Sequence, residues 1–345
     1  MNKRLRWLAA SGAVVLTSTA CGGGFGGGGG NGDGDLGTIS FYSPETPEMT
    51  EEMAQAFEEE HDADVQVTYS GTNELVNQMI AEETNPQGDV WYGGGGWMPF
   101  ENALDDGLIE PYTPSTVEDM EAQEGDIQLR EDDWGWIGAE LFVLGLAYDP
   151  AEVEEDELPE TWADLADDRW EDELQFPNPA ASGTATLLVL SQLMEMGDDE
   201  GWDYLEELVD LANAIPDSGG APTEAVTTGE ASIAVGYDFM AYQHEDRGES
   251  VDFHIPEETP VLVNPVTMVT DGPNEEGAEA FIDWMMSTEG QQIRADWFHI
   301  PLDPEVEAST PITLDEVEDH AQELDVDYVL DNYDDARDEW DERIG

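Results

Sequence analysis

An alternation of strands and helices between residues 37 and 92 constrains the fold of this 345-residue chain most. Apolar residues at i, i+3 and i+4, such as Met53, Ala56 and Phe57, indicate a helix with one buried face. The strands are three runs rich in β-branched and aromatic residues: 37–42, 65–69 and 89–92. This order predicts an α/β fold with a parallel sheet. Ligands of such sheets bind beyond the carboxyl ends of the strands.

Acidic residues dominate the composition, with 83 Asp and Glu against 9 Lys and Arg and a net charge of −74. A folded chain with this charge repels itself at ordinary ionic strength, whereas molar salt shortens the Debye length to about 3 Å. We therefore expect a protein of an extreme halophile. After residue 20 the chain holds six arginines and no lysine. This argues against nucleic acid as a partner, because few cations remain to neutralise phosphates.

The N-terminus is typical of an exported protein. Basic residues, an apolar segment and small residues precede the only cysteine, Cys21. A cysteine in this position, followed by a glycine-rich run, resembles a lipidation site with a flexible tether. We expect a signal peptide over 1–21, a tether over 22–35, and an extracellular protein that contacts the membrane through a lipid anchor. The export route, Sec or Tat, stays open, and a plain secretory signal with an incidental cysteine is the alternative.

The loops after the first three strands are candidates for ligand contact. They are Ser43–Thr46, Ser70–Asn73 and Gly93–Trp97. The glycine run 93–96 lacks the GK[ST] ending of a phosphate-binding loop, so a nucleotide hydrolase is not expected. Its glycines allow either a close approach of the main chain to a ligand or a tight turn.

The stretch 176–188, FPNPAASGTATLL, is a further candidate. It indicates a strand end, a proline-containing loop and a helix that begins near Ser182, Gly183 and Thr184. The start of a helix presents main-chain N–H groups with a partial positive charge, which suits an anion. A simple helix cap is the alternative role of Ser182 or Thr184.

Four segments together resemble the solute-binding proteins of ABC importers, in the group for ferric iron, hexose phosphates, phosphoglycerate and aminoethylphosphonate. They follow the order of that family: 89–112, 176–188, 218–239 and 278–306. The resemblance implies a type II periplasmic-binding-protein fold, with two α/β lobes, two hinge crossings and the ligand in the cleft between the lobes. It implies a monomer without cofactor or catalytic activity that delivers its solute to permease and ATPase subunits.

Two apolar runs, 134–147 and 259–269, are the expected crossings. Lobe 1 then comprises residues 36–140 and returns over 261–345, and lobe 2 comprises residues 141–260. The acidic C-terminal tail is expected to pack as helices on the outside of lobe 1.

The candidate ligand-binding residues mostly offer hydroxyl groups or main-chain amides, which suit an oxyanion of the organophosphate or phosphonate type. They are Ser43, Glu45, Ser70, Gly71, Thr72, Gly94, Gly95, Trp97, Ser182, Gly183, Thr184, Ser218, Gly219, Tyr237, Asp238 and Asn264. Asp238 would suit a hydroxyl or amine of the same ligand. Arg130 would be a conspicuous anion partner, although an exposed loop arginine is the alternative.

Two other functions stay open. Ferric members of the group that use adjacent tyrosines carry them after a strand corresponding to 233–236, where this chain has Tyr237, Asp238 and Phe239. Iron would therefore rely on Tyr237 and Asp238, and otherwise we expect no metal. A secreted hydrolase is the remote alternative, but the five histidines are dispersed and neither a GxSxG nor an HExxH motif occurs.

Overall fold

The computed structural model describes residues 34–125 and 127–344. The expected signal peptide, the lipidation site Cys21 and most of the tether lie outside these residues. Within the described part of the chain, no helix combines the length and the apolar character needed to cross a membrane.

The first elements alternate as the sequence predicts. They are β1 (Gly37–Ser43), α1 (Pro47–Glu60), β2 (Ala63–Tyr69), α2 (Thr72–Glu82), β3 (Val90–Tyr92) and α3 (Met98–Asp105). Strand β1 pairs in parallel with both β2 and β3. Helix α1 buries Met53 and Phe57, as expected from their spacing, against an aromatic cluster that includes Phe281.

The chain then reaches its longest strand. The elements here are β4 (Ile109–Glu110), β5 (Gln123–Glu124), β6 (Ile127–Gln128) and β7 (Ile137–Tyr148). All twelve residues of β7 are buried, which confirms the prediction of an apolar strand covered on both faces. Three 3-10 turns follow, at Glu155–Glu157, Trp162–Leu165 and Asp168–Trp170.

A second group of strands and helices follows these turns. Its elements are β8 (Leu174–Gln175), α4 (Gly183–Met196), α5 (Asp198–Leu211), β9 (Ala212–Ala214), α6 (Ala221–Thr228), β10 (Ile233–Tyr237), α7 (Asp238–Asp246) and β11 (Asp252–His254). Strand β8 is parallel to both β9 and β10. The two-residue β8 ends immediately before Phe176, where the sequence indicates the end of a strand.

The remaining elements lead from β11 back to the strands of the first group and end in two C-terminal helices. They are β12 (Val261–Val269), α8 (Glu275–Met285), α9 (Thr288–Asp296), α10 (Leu314–His320) and α11 (Val326–Arg343). Strand β12 is the second predicted crossing. Asn264 and Pro265 lie inside it, at a shift of register against β7, and not in a loop.

Ten of the twelve strands in the described residues form one sheet, and β5 and β6 pair with each other in a separate two-stranded sheet. The order of the larger sheet is β2-β1-β3-β12-β7-β10-β8-β9, with β4 beside β12 and β11 beside β7. Residues 137–143 of β7 pair with β12, and residues 144–148 pair with β10. Strand β7 therefore runs from the first half of the sheet (β1, β2 and β3) into the second half (β8, β9 and β10).

A buried ion pair lies at the crossing. The Arg294 Nε atom is 2.7 Å from Glu140 Oε2, and both side chains are at most 1% exposed. The Tyr92 hydroxyl donates to Glu140 Oε1 at 2.6 Å, and Arg294 also donates to the carbonyl oxygens of Ala139 and Met285. These bonds join β3, β7, α8 and α9.

The C-terminal helix corrects one expectation. Helix α11 packs against α4 and not on the outside of the first half. The Trp340 ring packs edge-on against Phe176 with ring centroids 6.1 Å apart. Arg343 Nη1 lies 3.1 Å from Glu206 Oε1 on α5. Tyr333, Ala336 and Trp340 lie on the buried face of this helix, but their spacing does not encode which surface that face meets.

Candidate functional site

A cavity of about 480 Å³ lies where the two halves of the sheet meet. Twelve of the sixteen residues selected from the sequence line it. They are Glu45, Gly71, Thr72, Gly94, Gly95, Ser182, Gly183, Thr184, Ser218, Gly219, Tyr237 and Asn264. The volume falls within the range of small-molecule sites, which is about 300–1,000 Å³.

Further lining residues were not among the sixteen selected from the sequence. They are Pro44, Asn73, Glu74, Pro99, Phe142, Ala181, Asp217, Gly220, Phe239, Tyr333 and Arg337. Pro44, Asn73 and Ala181 lie within the candidate loops, and most of the others are near selected residues. Phe142 lies in a uniformly apolar strand, and Tyr333 and Arg337 lie on the last helix, so no local signal marked these three.

The first half of the sheet supplies its wall through loops at the carboxyl ends of β1, β2 and β3. The Glu45 carboxylate oxygen Oε1 accepts a hydrogen bond from the main-chain N–H of Gly94 at 3.0 Å. The Thr72 hydroxyl donates to the carbonyl oxygen of Gly94 at 3.1 Å. Gly94 has a φ of 125°, a conformation open to glycine. The glycine run therefore makes a turn that the loops of β1 and β2 hold in place.

Glu45 is the titratable group of this wall. Burial, followed by the charge of the nearby Glu140, raises the pKa of Glu45 to about 7. The hydrogen bond from Gly94 acts in the opposite direction but is the smallest of the three effects. Glu45 is therefore partly protonated near neutral pH and can donate or accept a hydrogen bond there.

The second half supplies the start of α4 and the end of β10. The Ser182 hydroxyl is 3.0 Å from the Thr184 hydroxyl, which in turn makes a short hydrogen bond with the Tyr237 hydroxyl. Ser182 also caps α4 by accepting from the N–H of Ala185. The first N–H groups of a helix have no acceptor within the helix. A Cβ atom at position 219 would overlap the Tyr237 hydroxyl, so the glycine at 219 makes room for this chain of hydroxyls.

The two crossing strands form the base of the cavity. Phe142 of β7 packs edge-on against Tyr237, with ring centroids 5.7 Å apart. Asn264 of β12 is 1% exposed and supports Glu140 through a hydrogen bond. Its Oδ1 atom has no hydrogen-bond partner among the described residues. A buried amide oxygen without a partner is costly, and it can accept from a donor on a bound solute.

The two halves approach each other closely across the cavity. A Cβ atom at Gly95, in the loop after β3, would lie 3.1 Å from the methyl group of Thr184 at the start of α4. Gly95 also has a φ of 82°. Both the conformation and the space at this position therefore favour glycine.

Helix α11 adds the cavity's arginine. Arg337 Nη2 donates to the carbonyl oxygen of Ala180 at 3.2 Å, and its Nη1 lies 3.9 Å from Asp334 Oδ1. A Cβ atom at Gly183 would lie 2.9 Å from the Tyr333 hydroxyl. Both α11 side chains thus lie beside the loop that leads into α4.

Four selected residues do not line this cavity. Ser43 is fully buried, and its hydroxyl accepts from the N–H of Glu45, so it shapes the turn. Ser70 precedes the lining segment. Trp97 is 2% exposed and stacks with Trp136 in the core. Asp238 is fully buried at the start of α7, where its Oδ1 accepts from the N–H of Val143 at 2.9 Å, so it serves the backbone and not a ligand.

The arginine singled out from the sequence lies elsewhere. Arg130 donates to the carbonyl oxygens of Met120, Glu131 and Asp132. Its guanidinium lies 4.1 Å from the centroid of the Trp134 ring. These contacts make Arg130 a structural residue of the loop between β6 and β7, and among the described residues Arg337 is the arginine that lines the cavity.

No group of three or more His, Cys, Asp or Glu side chains in the described residues is arranged to hold a metal ion. The two side chains considered for iron point to different partners, because Tyr237 bonds with Thr184 and Asp238 accepts from Val143. Burial raises the pKa of Tyr237, which disfavours the phenolate that would bind iron. His299 is 1% exposed and stacks on Phe239 outside the cavity lining.

Comparison with known proteins gives matches over most of the chain. The family described as bacterial extracellular solute-binding protein matches residues 98–318. A probable ABC transporter periplasmic-binding protein from Sinorhizobium fredii is 29% identical over 289 residues, which is 80% of this chain and 77% of that protein.

Solved structures share the fold. The periplasmic binding protein AfuA from Actinobacillus pleuropneumoniae, with exogenous fructose-6-phosphate bound, has a TM-score of 0.78 at 24% identity and covers 89% of this chain and 98% of its own. Iron-bound HitA from Pseudomonas aeruginosa has a TM-score of 0.77 at 21% identity, with 88% and 98% covered. At these identities the likeness concerns the fold, which is the type II periplasmic-binding-protein fold expected from the sequence.

Proposed function

The chain belongs to the family of bacterial extracellular solute-binding proteins, and we propose that its solute is a small oxyanion, an organophosphate or a phosphonate, held in the cavity between the two halves of the sheet. The coarser function follows from the family: the protein is the substrate-binding component of an ABC transporter and not an enzyme. Its partners are accordingly a small-molecule ligand and the transporter's permease.

The observation that carries the proposal is the convergence of hydrogen-bond donors at one end of the cavity. The Ser182, Thr184 and Tyr237 hydroxyls form a connected set there, beside the first N–H groups of the fourteen-residue helix α4. Such a set offers donors and a partial positive charge to an anionic oxygen. Asn264 Oδ1 and Glu45, on the other walls, can accept from a hydroxyl or amine of the same solute.

Capture would occur by closure of the two halves about β7 and β12. A solute held at the start of α4 gains contacts with Glu45 and the Gly94 loop only in the closed form, so binding shifts the population toward that form. The close approach of Gly95 to Thr184 supports this mechanism, because it puts the two walls in contact. The permease would then recognise the closed form.

Ferric iron is the alternative solute of this transporter class. HitA, a solved structure of the same fold, is iron-bound, and Glu45 and Tyr237 line the cavity of this chain. Hard Fe(III) needs several anionic oxygen ligands, and here the phenol is engaged by Thr184 while the neighbouring carboxylate of Asp238 faces the main chain of Val143. The geometry therefore favours the oxyanion.

The proposal also covers the export, the membrane anchor and the source of the protein. We retain the signal peptide over 1–21, a lipid anchor at Cys21 and an extracellular location, with the binding domains as a monomer on a glycine-rich tether. We also retain a halophilic source, since the chain has a net charge of −74.

Isothermal titration calorimetry in molar KCl tests the solute class. Fructose 6-phosphate, 2-aminoethylphosphonate, inorganic phosphate and ferric citrate form the panel. We expect saturable binding of at least one phosphorus compound, with ferric citrate binding more weakly or not at all. Saturable binding of ferric citrate alone would overturn the oxyanion proposal and support iron.

A further inference from the structure

We propose that the C-terminal helix α11 is part of the ligand site, and that Arg337 binds the anionic group of the solute together with the start of α4. The inference rests on the proposed oxyanion function and deepens it. It assigns a binding role to an element that the sequence resemblance does not cover, since the matching segments end at residue 306.

The position of α11 is fixed by packing on both sides of Arg337. Towards its N-terminal end, the Tyr333 hydroxyl lies against Gly183, and Tyr333 is 9% exposed. Towards its C-terminal end, Trp340 is 2% exposed and packs on Phe176. Arg337 is one helical turn from each of these anchors, so its guanidinium is held beside the loop 180–184.

The existing contacts of Arg337 leave most of its donors available. Guanidinium carries five N–H donors, and one of them bonds to the carbonyl oxygen of Ala180 at 3.2 Å. Its ion pair with Asp334 is long, at 3.9 Å, and Asp334 is 88% exposed. A long and exposed pair of this kind contributes little to stability. The side chain is therefore free to exchange Asp334 for a ligand.

The other arginines with described ion pairs are more fully engaged. Arg169 lies 2.7 Å from Glu157, and Arg294 lies 2.7 Å from Glu140. Arg343 lies 2.7 Å from Glu339 and also contacts Glu206. Among the described residues, Arg337 is the arginine that lines the cavity.

The acidic lining of the cavity makes the positive charge of Arg337 important for binding an anion. Glu45, Glu74 and Asp217 also line the cavity, and the whole chain carries a net charge of −74. An anion that enters such a site is repelled unless a positive group lies close to its binding position. A guanidinium can hold a phosphate or phosphonate through two parallel N–H···O bonds, and the N–H groups of α4 would hold its remaining oxygens.

A solute bound in this way would link α11 to α4. The anion would bridge Arg337 and the first turn of α4, in addition to the packing of Tyr333 on Gly183. Ligand binding would then slow local opening of α11.

Substitution of Arg337 by Gln (R337Q) tests the inference, with R343Q as the matched control. Gln retains an N–H donor for the Ala180 carbonyl and removes the charge. Arg343 is on the same helix, loses the same charge and does not line the cavity. Calorimetry in molar KCl, with the phosphorus compound that wild type binds most tightly, should show affinity at least about tenfold lower for R337Q and within about twofold of wild type for R343Q.

Hydrogen exchange of the wild-type protein gives a second measurement that needs no variant. Saturation with the same compound should slow exchange of the amides of residues 326–343. Wild-type affinity in R337Q, or unchanged exchange in α11 on ligand binding, would overturn the role of α11 and leave the oxyanion proposal standing. If the wild-type protein binds none of the phosphorus compounds, the proposed function fails and this inference fails with it.

Discussion

The carboxylate oxygen Oε1 of Glu45 accepts a hydrogen bond from the main-chain N–H of Gly94 at 3.0 Å, which fixes a titratable group in the wall of the cavity. The loops of β1 and β3 thus meet at a side chain whose pKa is raised to about 7. Near neutral pH, the charge of this wall depends on the protonation of Glu45.

We expect the affinity for an oxyanion to fall as the pH rises through about 7, because Glu45 then becomes a carboxylate that repels the ligand. Substitution by Gln (E45Q) should make the affinity less dependent on pH. Calorimetric titrations at about pH 6 and about pH 8 measure this difference. An equally steep loss of affinity in E45Q would assign the pH dependence to another group.

The stability of the folded protein should also depend on the protonation of Glu45. The pKa of Glu45 is higher in the folded chain than its ordinary value of 4.5, so the folded state binds the proton more tightly. Its contribution to stability is therefore present below about pH 4.5 and is lost as the pH rises through about 7. E45Q should show a smaller fall of Tm across that window.

Burial also raises the pKa of Asp238 to about 7, but Asp238 does not line the cavity. D238N should therefore change the pH dependence of Tm and not that of affinity.

Alanine at Ser182 and Thr184 should weaken ligand binding more than it lowers stability. Both hydroxyls line the cavity, and removal of a hydrogen bond to a charged group costs about 1.5–3 kcal/mol, which corresponds to about tenfold or more in affinity. Ser191 is the control, because it lies on the same helix and its hydroxyl donates to Leu188 within the core. We expect S191A to lower Tm and leave affinity unchanged. If alanine at Ser182 and Thr184 lowered Tm and left affinity unchanged, these two residues would serve only to cap the helix.

Alanine at Gly95 should hinder closure of the two halves. The new methyl group would lie 3.1 Å from that of Thr184, and the residue would keep a φ of 82°. Gly229 has a φ of 73° with nothing within 4 Å of an added Cβ, so G229A carries similar backbone strain without the contact. We expect both variants to lose about 1–2 kcal/mol of stability, but only G95A to bind ligand more weakly. Equal affinities of the two variants, measured by calorimetry, would contradict closure at this contact.

Breaking the buried ion pair of Arg294 and Glu140 should be among the most destabilising single changes in this protein. Arg294→Met leaves a buried carboxylate without its partner, which costs about 3–5 kcal/mol, and denaturant unfolding should show this loss. Arg169→Met removes an exposed pair with Glu157, for which we expect at most about 1 kcal/mol. Similar losses for the two variants would show that Glu140 is already neutral in the folded protein.

The sequence predicts the sheet and most of the site because both depend on local signals. Helix α1 and the crossing β7 follow from apolar spacing, and the loops after β1, β2 and β3 meet at one edge because parallel strands end there. Ser182 likewise marks the start of α4 through a local signal, because it is the cap of that helix. Hydroxyl and glycine residues next to such signals therefore line the cavity, and their contact with a ligand stays a prediction.

The errors have physical causes that lie beyond any local pattern. Ser43 and Asp238 carry suitable side chains, but each satisfies a nearby main-chain N–H, which only the fold reveals. Arg337 was missed because its role depends on α11 packing against α4, a contact between residues far apart in the chain. Among the six arginines after residue 20, the sequence reasoning singled out Arg130, and no local signal marked Arg337.

The most direct test of the oxyanion proposal is a competition measured by elemental mass spectrometry. The wild-type protein is equilibrated in molar KCl with equal concentrations of fructose 6-phosphate, 2-aminoethylphosphonate and ferric citrate, and unbound solute is removed by gel filtration. We predict phosphorus close to one atom per chain and iron close to zero. Iron close to one atom per chain, without phosphorus, would contradict the account.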